Sequence, residues 1–183
     1  MAKPLHNTSM STSAVLRGRS AAVVFSSRFG NTEKVAKALE RGLRSAGLQT
    51  VCVSTEEVVP DSLKRYDLIC VGGPTEVFGA SKPTKVFMTA LSGVYLEGKF
   101  GFAFDTKLDS RLSGSASKFI EHCLDDDGLH IAAPRESAIV TTRKEKAQII
   151  GADLREGEEK RFEELGMKVG AVAAEEMSKL GES

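Results

Sequence analysis

Five short apolar or β-branched runs, at residues 21–25, 50–54, 67–71, 99–104 and 137–141, alternate along this chain with segments of helical spacing. Parallel strands need a long crossover between them, and right-handed crossovers place the intervening helices on both faces of one sheet. The alternation therefore predicts an α/β fold with a parallel sheet between two helical layers. The run at 67–71 is apolar through its middle, as a strand covered on both faces should be. In the helical segments, 32–46 carries Val35, Ala38, Leu39 and Leu43 on one stripe and stops at Gly47. Residues 82–91 have Pro83 in their first turn, where a missing N–H does no harm. Residues 114–127 turn Phe119, Ile120, Cys123 and Leu124 inward, and 158–180 carry Phe162, Leu165, Val169, Val172 and Met177 close to one face. A short helix is expected around 61–65. Residues 142–157 read as a long connection seeded with Ile149, Ile150 and Leu154.

The unusual connections all fall after strands: 26–31 after the first, 72–81 after the third and 105–113 after the fourth. In a parallel sheet these three share one edge, the carboxyl edge at which ligands bind in open α/β folds. The first of them, Phe25-Ser26-Ser27-Arg28-Phe29-Gly30-Asn31-Thr32-Glu33, is a strand-to-helix turn built from hydroxyls, one Gly and an Asn. Such a turn offers backbone N–H groups and the positive end of a helix dipole to an anion such as phosphate. The same residue types also serve as plain helix caps. Both readings stand on these residues alone.

Composition removes several alternatives. The 25 basic and 25 acidic side chains among 183 residues cancel, so nothing marks a nucleic-acid footprint. Cys52, Cys70 and Cys123 are too few and scattered for a disulfide framework, and they point to a reducing, cytoplasmic setting. No apolar run approaches the roughly 20 residues of a membrane span. Residues 1–20, rich in Ser, Thr and basic side chains, are expected to be a disordered extension to a single domain over 21–181. Gly93-Val-Tyr-Leu-Glu-Gly98-Lys99-Phe100 has Phe where a P-loop has Ser or Thr, and it precedes a strand. No G-x-G-x-x-G follows the first strand, no G-x-S-x-G elbow exists, and His6, His122 and His130 stand without a second ligand at metal spacing. No catalytic acid, base or nucleophile and no metal site is therefore assigned.

The string from Phe25 to Thr32 is similar to the flavodoxin phosphate-loop pattern, aromatic–x–Ser–x–x–Gly–Asn–Thr, at every fixed position. Gly73-Pro74-Thr75-Glu76-Val77-Phe78-Gly79, followed by Lys85-Val86-Phe87, resembles the second flavin loop of that family. Asp105-Thr106-Lys107, with Gly114-Ser115 beyond, stands where the third would be. The resemblance implies a flavodoxin-like three-layer sandwich with a five-stranded parallel sheet of order 2-1-3-4-5, FMN as cofactor, and electron transfer between a reductase and an acceptor. It implies that Ser27, Asn31 and Thr32, with the backbone of Phe29 and Gly30, cradle the phosphate, and that Arg28 adds a cation if it points inward. Pro74, Thr75, Glu76, Val77, Phe78 and Gly79 would clasp the ring with Phe104, Asp105, Thr106 and Lys107. The chain departs from the family in having no Trp and in placing Tyr66 and Tyr95 away from these loops. One ring face is left open, which suits an alternative role as an FMN-dependent NAD(P)H:quinone-type oxidoreductase. A flavin-free binding module on the same fold is a further alternative.

Overall fold

Alternate residues of the first strand, β1 (Ser20–Phe25), enter two different cores. Ala21, Val23 and Phe25 face one helical layer, and Ala22 and Val24 face the other. That division follows from the two-residue period of a strand buried on both sides. The computed structural model describes residues 18–76, 79–110, 113–145 and 148–181. Most of the expected 1–20 extension lies outside those residues. At its end Ser20 already belongs to β1, and its N–H donates to Asp67 Oδ2 at 2.8 Å.

After β1 come α1 (Asn31–Ser45), β2 (Gln49–Ser54) and a 3-10 helix (Pro60–Arg65). Then follow β3 (Leu68–Glu76), the two-residue β4 (Gly79–Ala80), α2 (Lys82–Leu91) and β5 (Phe100–Leu108). The chain continues through α3 (Ala116–Asp126), the two-residue β6 (His130–Ile131), β7 (Glu136–Glu145), β8 (Gln148–Leu154) and α4 (Glu158–Gly181). The sheet order is β2-β1-β3-β5-β7-β8. Its first five strands are parallel and reproduce the expected 2-1-3-4-5 order, with the two-residue strands off the main path.

Three strand ends run past expectation. β3 continues through Gly72 to Glu76, and β5 continues past Phe104, because Gly72, Gly73 and Pro74 pair with Phe104, Asp105 and Thr106. Two segments expected as loops thus begin as strand. Gly72 permits this, since a Cβ there would lie 2.1 Å from the Phe104 ring. β7, expected to stop at 141, runs to Glu145, and the rest of the expected connection 142–157 contains a further strand: β8 runs antiparallel to β7, with an irregularity between Arg143 and Lys144.

Helices α1 and α4 cover one face, packing Val35, Leu39 and Leu43 with Phe162, Val169, Ala173 and Met177 over Phe100, Phe102 and Phe104. Val172, expected on that stripe, is exposed, and glycines at 166 and 170 take part in the contact instead. On the other face Phe87, Met88 and Leu91 of α2 join Ile120 and Leu124 of α3 over Ile69, Val71 and Ala103. At the start of α4 the buried Glu158 accepts from Arg155 and Arg161, and Arg161 also reaches Glu136 and the Ser137 carbonyl, so this end is pinned to β7.

All three cysteines are free. Burial pushes the Cys52 thiol up to about 12 and the Cys70 thiol higher still, and Cys123 is also raised, chiefly by burial. Thiolate is the reactive form. In native protein at pH 8 Cys52 and Cys70 are accordingly expected to react with a colorimetric disulfide reagent far more slowly than in urea-unfolded protein. Two or more fast native thiols would contradict these environments.

Candidate functional site

The turn after β1 sends consecutive side chains to different places. Ser26 is buried on the α2 side, where its Oγ lies 2.7 Å from Thr84 Oγ1 and 3.5 Å from Ser81 Oγ. Ser27 lies on the opposite side. Its Oγ is shielded from solvent and has no hydrogen-bond partner. Gly30 then takes φ 80°, a left-handed conformation in which glycine avoids the strain other residues would carry, and becomes the N-cap of α1. No side chain caps the helix. The plain-cap reading of this turn is therefore not what its side chains do.

Asn31 and Thr32 are buried and engaged elsewhere. Asn31 Nδ2 donates to the Ala152 carbonyl of β8 at 2.7 Å, and Thr32 Oγ1 lies 2.9 Å from Thr106 Oγ1 of β5. Arg28 points outward: its guanidinium lies 5.0 Å from the centroid of the Phe29 ring and 3.8 Å from Glu76 at the end of β3. That exposed pair contributes little to stability. It does link the first and second loops across the mouth of a cavity.

The cavity has a volume of about 310 Å³. From the turn and helix start it is lined by Ser27, Arg28, Phe29, Asn31 and Thr32, and from the second loop by Pro74, Thr75 and Glu76. Thr106 and Leu108 of β5 form its floor. The remaining wall is Val140 and Thr142 of β7 with Ile149 and Ala152 of β8. Hydroxyls line the part near the helix start, and Phe29, Leu108 and Ile149 supply apolar surface, a mixture typical of small-molecule sites.

Several expected site residues stand outside this wall. Phe104 is fully buried, 6.1 Å from Phe162 between ring centroids, and belongs to the core. Asp105 and Lys107 alternate with Thr106 along β5, so they face the α3 side. Asp105 is fully buried, and its Oδ2 accepts from Thr75 Oγ1, Ser115 Oγ and the Ser117 N–H at 3.0, 3.1 and 2.9 Å. It braces the end of β3 against the start of α3. Asp105→Asn keeps an acceptor but loses the charge behind three donated bonds, and it is expected to cost about 1–2 kcal/mol in chemical denaturation. Gly79 lines a separate depression beside α3, with Lys85 and Lys118. Val77 and Phe78 lie outside the described residues.

Sequence reasoning missed Leu108, Val140, Thr142, Ile149 and Ala152, and it assigned Phe29 only through its backbone. The one available signal was the β-branched pair Ile149-Ile150 in a stretch without helical spacing.

A family model described as Flavodoxin matches residues 23–126. Over 85 residues the chain is 34% identical to a flavodoxin of Clostridium saccharobutylicum, an alignment covering 46% of this chain and 53% of that protein. The chain thus spans about half the length of this curated relative. Among solved structures, a flavodoxin from the domain Archaea superposes with a TM-score of 0.68 at 25% identity, covering 84% of this chain and 98% of that one. Oxidised Flavodoxin 1 from Bacillus cereus superposes with a TM-score of 0.68 at 17% identity, covering 82% and 96%. The flavodiiron protein from Giardia intestinalis reaches 0.69 at 18% identity over 91% of this chain and 39% of that one, and these last two likenesses concern the fold alone. The matched span runs from β1 to the end of α3, more than half of the chain, and includes the turn after β1, Pro74–Glu76 and Thr106 but neither β7 nor β8. On that match, carried by the segments that build all but one wall of the cavity, the chain belongs to the flavodoxin family.

Proposed function

We propose that this cavity binds FMN and that the protein carries electrons between a reductase and an acceptor. The observation that carries the reading is Ser27, a residue of the cavity wall whose shielded hydroxyl has no partner, beside an α-helix start that no side chain caps. A buried polar atom without a partner is unfavourable, and a phosphate at a helix N-terminus would satisfy it. In this reading Ser27 and the backbone N–H groups at the start of α1 hold the phosphate. Thr32 and Thr106, already bonded to each other, would have hydrogen-bonding capacity left for the ribityl hydroxyls. Phe29 and Leu108 would give the ligand apolar surface to lie against. Bound there, FMN supplies the one- and two-electron chemistry that the polypeptide lacks.

Three free thiols, two of them in the sheet, suit work in the reducing cytoplasm. The test is a titration of purified protein with FMN followed by flavin fluorescence. Quenching with a 1:1 endpoint supports the reading, and absence of quenching overturns it. Turnover of NAD(P)H with a quinone by the protein alone would assign the enzyme alternative, whereas reduction only through a partner reductase supports the carrier.

A further inference from the structure

We infer that β7 and β8 form a fourth binding wall of this site, with Thr142 and Ile149 contacting the phosphate–ribityl end of the ligand and Ala152 holding the phosphate turn in place. The inference rests on the FMN reading above and extends it to residues outside the family match.

The bond from Asn31 Nδ2 to the Ala152 carbonyl joins positions 121 residues apart. Asn31 is the first residue of α1 and is buried, so this bond fixes the helix start against β8. Ala152 is paired with Thr142 across the β7/β8 ladder. In an antiparallel ladder alternate residues turn both backbone groups away from the partner strand. The Ala152 carbonyl uses that outward direction to meet Asn31, so this edge of β8 abuts the cradle instead of ending in solvent.

Registration carries the same face across the sheet. Leu108 pairs with Val140, Val140 with Leu154, and Thr142 with Ala152. Thr106, two residues before Leu108, shares that face and meets Thr32 from the helix. The wall from β7 and β8 therefore closes on the helix-start side of the cavity, while Pro74 and Glu76 lie on the side of β3. A phosphate at the start of α1 would have Thr142 and Ile149 across from it, and the ring would extend toward the second loop. Ile149 itself is 53% exposed, an apolar side chain on a cavity wall that a bound ligand would cover.

Charge placed at Ile149 tests this. Because that side chain is already half in solvent, neither Asp nor Lys requires burial of a charge. With wild type, Ile149→Asp and Ile149→Lys titrated in parallel with FMN and riboflavin at low salt, Ile149→Asp is expected to weaken FMN about fivefold. Ile149→Lys is expected to tighten FMN about two- to fivefold, with riboflavin changed less than about twofold by either. Opposite signs for opposite charges cannot come from a general loosening of the fold. Equal effects of Asp and Lys, or no effect of either, in a protein whose wild type binds FMN, would overturn this inference alone. A wild type that binds no FMN overturns the FMN reading and this inference together, and it is seen before any variant is compared. Should Ile149→Asp fail to fold, Ile149→Lys against Ile149→Gln makes the same comparison.

Discussion

Gly42→Ala is expected to lower the unfolding free energy by about 3–5 kcal/mol, at the upper end of what overpacking a core produces. Gly42 lies on the inner face of α1, where a Cβ would stand 2.0 Å from the Glu163 carbonyl oxygen and 2.8 Å from the Gly166 Cα. The contact is reciprocal: a Cβ on Gly166 would stand 2.4 Å from the Leu39 carbonyl oxygen. These neighbours are backbone atoms and cannot rotate away. The two helices would have to separate, loosening Leu39 and Leu43 from Phe162 and Val169. Helix propensity acts in the other direction, since Ala is favoured over Gly by about 1 kcal/mol in a helix interior, and that gain is too small to decide the sign. For a chain of this size the loss corresponds to a melting temperature lower by about 10 °C. Gly93→Ala is the control: the nearest atom to its Cβ is the Ala90 carbonyl oxygen at 3.6 Å, and it should melt like wild type. A Gly42→Ala protein that melts with the control would refute the close approach of the helices.

The same pair of helices shows which parts of the architecture were legible in the sequence. Strand–helix alternation carried the fold class, and the apolar stripe of α1 was readable because Val35, Ala38, Leu39 and Leu43 recur at helical spacing and are all buried. The α4 stripe was only partly readable. Where glycine and alanine make the contact, as at Gly166, Gly170, Ala173 and Ala174, hydrophobicity carries little signal, and the more apolar Val172 faces solvent.

The missed strand has a different cause. The end of β7, with Arg143, Lys144 and Glu145, and the first half of β8, with Gln148, Ile149 and Ile150, are exposed along successive residues. A sheet margin exposed in that way need not show the alternation of buried and exposed side chains by which strands are recognised. The site was legible in proportion to how local its parts are. The turn after β1 is contiguous in sequence, and Ser27, Phe29, Asn31 and Thr32 all reach the cavity. For β5 the choice among Phe104, Asp105, Thr106 and Lys107 depends on strand parity. Once β5 is seen to extend to Leu108, only Thr106 of those four remains on the cavity side.

Ser27→Ala separates ligand binding from stability, with opposite signs expected for the two. In the free protein Ser27 Oγ has no hydrogen-bond partner and is shielded from water. Its removal should leave the unfolding free energy unchanged or raise it by about 1 kcal/mol, the usual consequence of deleting an unsatisfied buried polar group. For FMN, the variant loses a hydrogen bond to a charged acceptor, and affinity should fall about 10- to 30-fold. Riboflavin has no phosphate for Ser27 to meet and should bind about equally well to both proteins. Thr32→Ala and Asn31→Ala make the contrast. Each breaks a bond the free protein already makes, to Thr106 and to the Ala152 carbonyl, so each should lose stability as well as FMN affinity. Denaturant unfolding without ligand, set beside FMN and riboflavin titrations of the three variants, checks the pattern. If Ser27→Ala lost stability as Thr32→Ala does, its hydroxyl would have a partner within the protein, and the strongest physical support for a phosphate at this helix start would be gone.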